Sequence, residues 1–190
     1  MGAYGGTPVR LAAALTFDKT SDSLLGMSGT PDNQTVARIL GDIAGILEFK
    51  DENAFKIRSY RTAAETIATL HDQVTELAEQ GGAAELQKIQ GIGKGISTQM
   101  IEIIETGKSS YFEELTRDVP ATVLDLRRVS GIGLKTAQLL YRDFGIKSLA
   151  ELKVLVEGGG MSSVPGLGEK TAARIKSSLA RIEAQTASKH

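Results

Sequence analysis

The chain has 190 residues, with 22 Lys and Arg against 23 Asp and Glu for a formal charge of −1, and 41% of it is hydrophobic. That length holds one large domain or two to three small ones, with enough Leu, Ile, Val and Ala for real cores. Cysteine is absent and the only histidines are His71 and His190, which excludes disulfides, thiolate metal sites and cysteine nucleophiles and leaves little for histidine chemistry.

Residues 1–32 are rich in Gly, Ser and Thr without a sustained period, and read as a disordered leader. The run Leu11-Ala12-Ala13-Ala14-Leu15 after Arg10 is short and meets Phe17-Asp18-Lys19, which argues against a signal peptide, and Met27 is an alternative start. No stretch has the length of a membrane span. No membrane partner is therefore expected, and a cytoplasmic, nucleoid-associated location is.

Helical periodicity begins after Asp32-Asn33, a cap pair, with Val36, Ile39, Leu40, Ile43 and Leu47 on one buried face. A polar turn at 50–53 leads to a second helix over 54–70, with Ile57, Tyr60, Ala64, Ile67 and Ala68 on its inner side. Val74, Leu77 and Ala78 mark a short third helix closed by Gly81-Gly82. Three hairpin units come next, over about 84–107, 122–145 and 161–182, with connections at 108–120 and a short helix at 149–156 capped by Ser148. Gly107 is a stop for the first unit, and the tail after Glu183 is expected to fray. Alternating β-branched runs do not occur, so the chain reads as all-α. We divide it into a leader (1–32), an N-terminal helical domain with the first hairpin (33–110), a region with the second and third hairpins (111–185) and a tail (186–190).

Each unit carries the same short pattern: Ile89-Gln90-Gly91-Ile92-Gly93-Lys94, Val129-Ser130-Gly131-Ile132-Gly133-Leu134 and Val164-Pro165-Gly166-Leu167-Gly168-Glu169. Spacings of about 40 and about 35 residues are near the period of a helical array. Glycines let the backbone turn sharply and approach a partner closely, and the helix start after them offers unpaired N–H groups to an anion. Such glycines also serve as plain interhelical turns. Corner-turning alone does not require Gly-apolar-Gly, so the first two copies point to the helix-hairpin-helix motif, which grips nucleic-acid backbone without reading sequence. In the third, Pro165 and the repelling Glu169 point to a structural role.

A charge near zero gives no global pull towards DNA, so attraction must be local. Lys88, Lys94 and Lys108 surround the first hairpin, Arg127, Arg128, Lys135 and Arg142 the second, and Lys170, Arg174 and Lys176 come after the third. Lys56, Arg58 and Arg61 cluster on the second helix beside Tyr60. They suit phosphate contact, and equally a solvated face balancing Glu48, Asp51 and Glu52.

The stretches 55–64 (Phe-Lys-Ile-Arg-Ser-Tyr-Arg-Thr-Ala-Ala) and 89–96, then Arg128-Val129-Ser130-Gly131-Ile132-Gly133 with its sequel over 141–152, resemble in order the amino-terminal region of family X DNA polymerases, bacterial members especially. The resemblance covers about 33–182. It implies phosphate contact by amides at Gly91, Gly93 and Gly95 on the strand downstream of a gap, and at Gly131, Gly133, Lys135 and Thr136 near the primer strand. It implies that Lys56 and Tyr60 line a pocket for the gap's 5′-phosphate. It also implies a monovalent cation, Na+ or K+, held by backbone carbonyls of Gln87, Ile89 and Ile92 at one hairpin and of Arg127, Val129 and Ile132 at the other.

Two departures from that family shape the expectation. Some members remove a 5′-deoxyribose phosphate with a Schiff-base lysine, and the matching position here is Gln99, which cannot form the adduct. Polymerisation needs a later carboxylate triad for two magnesium ions, and the chain reaches His190 without one, Asp125 and Asp143 being isolated acids. We therefore expect a non-catalytic module that binds gapped, nicked or ended DNA with Lys94 among its contacts. A separate polymerase or nuclease domain is its expected companion. A protein-interaction scaffold, or a weak lyase using a displaced lysine such as Lys94, are the alternatives.

Overall fold

The structure is a computed structural model describing residues 30–187. The expected leader, apart from residues 30–32, and positions 188–190 of the expected tail lie outside the described residues. Within them the chain is all-helical, with no strand.

Helix α1 (Asn33–Phe49) starts where Asp32 accepts the Thr35 amide at 2.8 Å. It buries Val36, Ile39, Leu40, Ile43 and Leu47 as expected, and also Ala37, Ala44 and Ile46. Two faces are covered instead of one because α1 is the central helix, and a helix apolar on most sides must sit inside. Helix α2 (Ala54–Thr69), capped by Asn53 on the Phe55 amide at 2.9 Å, packs along α1 through Tyr60, Ala63 and Ile67. Ala68, expected on that face, is exposed, and Ala63 takes the inner position. The stripe through 60, 63 and 67 turns Ala68 outward.

Asn33 does more than start a helix. Its buried side chain donates to the Leu70 and Asp72 carbonyls at 3.2 and 2.9 Å and accepts the Val74 amide at 2.9 Å, fastening the corner between α2 and α3 (Val74–Leu86). Gly81 and Gly82 leave helical geometry inside α3, so its last turn forms the first arm of the first hairpin. Helix α4 (Lys94–Thr106) is the second arm and ends on Gly107. The stretch read as a connection contains α5 (Ser110–Leu115), capped by Ser109 on the Phe112 amide and packed on α1. At six residues, its pattern is too short to display a period.

Next come α6 (Val123–Leu126), α7 (Leu134–Phe144) and α8 (Leu149–Glu157), a 3-10 turn (Gly160–Ser163) and α9 (Glu169–Ala187). Helix α9 continues past the expected fraying point, because Lys153 of α8 pairs with Glu183 at 2.8 Å and Ile182 is half-buried against the core. The C-terminal end of α1 joins the two hairpin regions. Gln138 of α7 donates to the Phe49 carbonyl at 2.8 Å, the Phe49 and Tyr141 rings meet edge-on at 5.6 Å, and one buried core runs through both. No described helix is long and apolar enough to cross a membrane.

Candidate nucleic-acid interface

The three glycine turns share one backbone form. The amide after the first glycine folds back on the carbonyl three residues earlier: Ile92 on Ile89 at 3.1 Å, Ile132 on Val129 at 3.0 Å and Leu167 on Val164 at 3.2 Å. The glycine between them has φ of +86°, +101° and +80° at Gly91, Gly131 and Gly166, a region side chains avoid. The apolar middle residue is the plug: Ile92 and Ile132 are buried, so the turn is pinned to the core while its glycine backbone faces out.

The helix starts at the first two turns differ from those at most corners; α6 also lacks a side-chain cap, but its first amides bond the carbonyls of Pro120, Ala121 and Thr122. Helices α1, α2, α5 and α8 begin on an Asp, Asn or Ser whose oxygen takes a first-turn amide, and the start of α3 is served by Asn33. Helices α4 and α7 begin on Gly93 and Gly133, with no side-chain cap. Their first helical bonds run from Ser97 to Gly93 and from Ala137 to Gly133, both at 2.9 Å. The amides of residues 94–96 and 134–136 are thus left without an acceptor in their helix. A Cβ at Gly93, Gly95 or Gly133 would meet nothing within 4 Å, so a ligand has direct access to this backbone. Such exposed amides at a positive dipole end suit an anion.

Beside the first turn lies an open, mainly apolar cleft of about 640 Å³, lined by Lys56, Tyr60, Gly91, Gly93 and Gly95. These expected residues, far apart in sequence, are brought together there. Lys94 is exposed at the start of α4 but does not line the cleft. The Tyr60 ring stacks on Tyr111 at 6.0 Å, and Lys56 Nζ sits 4.8 Å from the centre of the Tyr111 ring. Burial, with Tyr111 adding to it, pushes the Tyr60 phenol up to about 12, so it stays neutral and able to donate. Phe55, 78% exposed, stands on the rim with Arg58. Sequence reasoning places Arg58 in a cluster suited equally to phosphate contact and to a solvated face, whereas Phe55 enters only through the resemblance. A phenylalanine directly after the Asn53-Ala54 helix start, where no core lies, was the available signal.

The second turn presents Gly133 and Lys135 to solvent, with Thr136 half-buried. Helix α9 backs it: the Ser130 amide donates to Ser178 Oγ at 2.9 Å, and a Cβ on Gly131 would lie 3.3 Å from the Thr171 methyl. A Cβ on Gly91 would lie 3.2 Å from the Thr62 methyl of α2, so each turn leans on a helix through a threonine.

The expected cations divide into two groups. Lys88 pairs with Glu85 at 2.6 Å, Arg128 with Asp125 at 3.1 Å, and Arg127 and Arg61 both with Glu48, at 2.7 and 3.1 Å. The balancing account thus holds for Arg61 and Glu48. Burial alone would raise the Glu48 carboxyl, but hydrogen bonds and charge from Arg61 and Arg127 outweigh it and hold it below the ordinary value. Among the described residues, Arg58, Lys94, Lys135 and Arg142 make no ion pair.

At the carbonyls of the implied cation sites, Ile89 and Val129 each already accept one amide and keep a second lone pair. No cluster of three His, Cys, Asp or Glu side chains suited to a metal occurs among the described residues. Gln99 is half-buried and its side-chain oxygen accepts from Ser109 Oγ at 3.0 Å.

Comparison with known proteins places these turns. Residues 31–109 match a family model described as a helix-hairpin-helix domain, and residues 123–181 one described as a SAM-like helix-hairpin-helix tandem. The chain is 32% identical over 144 residues to the DNA polymerase/3′-5′ exonuclease PolX of Bacillus subtilis, covering 76% of this chain and 24% of that protein. It is 38% identical over 55 residues to the Holliday junction branch migration complex subunit RuvA of Albidiferax ferrireducens, and 40% identical over 55 residues to RuvA of Bordetella avium, 29% of each chain in both cases. The chain thus spans about a quarter of the polymerase and under a third of each RuvA. The repeated glycine turns and these matches together make the chain a tandem helix-hairpin-helix protein, related through that region to the family X DNA polymerases.

Proposed function

We propose that this protein binds DNA through its phosphate backbone without reading base sequence, and favours gaps, nicks or ends. The observation that carries the reading is the repeated exposed turn in which Gly93 and Gly133 open helices with no side-chain cap. Phosphates would take the amides of both turns, with Gly91, Gly93, Lys94 and Gly95 at one and Gly131, Gly133, Lys135 and Thr136 at the other. The cleft bearing Lys56 and Tyr60 would receive the 5′-phosphate of the strand downstream of a gap. Hard carbonyl oxygens of Gln87, Ile89 and Ile92, and of Arg127, Val129 and Ile132, suit Na+ or K+ bridging to phosphate.

The module acts in this reading by binding alone. Gln99 offers an amide where a Schiff-base lysine would be needed, and Ser109 already engages it. Copying or trimming of a repaired strand would come from another domain or protein. Affinity is modest, since few phosphates are neutralised.

Fluorescence anisotropy tests this with gapped DNA carrying or lacking the downstream 5′-phosphate, against intact duplex, over a salt series. Tighter binding to the phosphorylated gap is expected, lost in a Gly91→Val/Gly131→Val variant whose helicity by circular dichroism is retained. Absence of binding at low salt would overturn the reading and leave a protein-interaction scaffold.

A further inference from the structure

We infer that the groove along α7 between Lys135 and Arg142 is a second phosphate track, in which Arg142 contacts a phosphate beyond the one held by the second turn. The inference rests on the DNA-binding reading and extends it to a residue outside the turns. Lys135, Gln138, Leu139 and Arg142 stand at i, i+3, i+4 and i+7, so they share one face of α7. With Asp143 they line an open groove of about 350 Å³.

Three features favour a polyanion running along it. Lys135 and Arg142 make no ion pair among the described residues, whereas the nearby Arg127 and Arg128 are held by Glu48 and Asp125. The groove floor is fixed, because buried Gln138 is committed to the Phe49 carbonyl at 2.8 Å. Half-buried Leu139 adds an apolar wall against which a sugar can lie. Seven residues of helix separate Lys135 from Arg142 by about 10 Å, so Arg142 reaches past the amides at 134–136. Asp143 opposes the anion and tempers the site. Arg142 also lies in the last turn of α7, where a cation offsets the helix dipole, so the test must read phosphate contact and not stability.

The salt dependence of binding to the phosphorylated gapped duplex is that readout. Arg142→Gln is expected to reduce the slope of log K against log salt by about 1, the signature of one lost phosphate contact, and Asp143→Asn to tighten binding at low salt. Arg181→Gln, an exposed cation of α9 with no ion pair among the described residues, is expected to leave the slope unchanged. A wild-type slope in Arg142→Gln, with Lys135→Gln still reducing it, overturns the track and leaves the turn reading intact. An equal fall in Arg181→Gln also overturns it, because the effect would then be general charge. Lack of any binding by the wild-type protein removes the function and the track together.

Discussion

Glu48 holds Arg127 at 2.7 Å across 79 residues of sequence, and the same carboxylate oxygen takes Arg61 at 3.1 Å. One acid at the end of α1 therefore ties α2, which walls the first turn, to the residue just before the second. Glu48→Gln is expected to cost about 1 kcal/mol, a modest figure because the pairs are partly solvated. The carboxyl lies below its ordinary 4.5 in the folded protein. Its contribution is thus fully present above that value and is lost as pH falls through the lower folded value. Denaturant titrations at stepped pH should show the wild-type advantage over Glu48→Gln fading only in that acidic window.

Gly91 and Gly95 should respond in opposite senses to alanine. Gly91 has a left-handed φ and the Thr62 methyl in the way, so Gly91→Ala should lose about 1–2 kcal/mol of stability. Gly95 sits inside α4 with open space around its Cβ position, so Gly95→Ala should gain about 0.5 kcal/mol. That added methyl nevertheless lies on the face assigned to phosphate. Thermal melting should rise while DNA affinity falls, and a rise in both would count against that face.

Tyr60 makes no hydrogen bond among the described residues and lines the cleft beside Lys56. Tyr60→Phe keeps the stack on Tyr111 and removes only the hydroxyl. Stability should hold, and the preference for phosphorylated over unphosphorylated gaps should fall by about 1.5 kcal/mol, roughly tenfold. The ratio of the two Kd values measures it. Since burial pushes the phenol up to about 12, neither wild-type Kd should change with Tyr60 ionisation near neutral pH.

Asn33 and Asp32 adjoin at one helix start but differ in role. Asp32→Ala removes an exposed cap worth about 1 kcal/mol. Asn33→Ala strands a buried amide and two carbonyls, and should cost about 2–3 kcal/mol. Urea unfolding of the two variants ranks them, and equal losses would refute the fastening role given to Asn33.

Helix starts, the Gly81-Gly82 break and the three turns were legible in the sequence because caps, glycines and apolar spacing act over a few residues. The all-helical class and the helix-hairpin-helix identity of the turns came from that local chemistry. Helix α5 was missed because six residues show no period, and its Tyr111 matters by lying over Tyr60 and under Lys56, both distant in sequence.

Sequence alone thus determined the helices, the repeated Gly-apolar-Gly turns and the residue types able to meet phosphate, all properties of neighbouring residues. Only the tertiary structure decided that Arg61 and Arg127 are paired, because Glu48 reaches both through the packing of α1. It also decided that Lys56 and Tyr60 share a cleft with the first turn. The two Glu48 pairs and the cleft depend on distances between chain segments, and local periodicity carries no record of those distances.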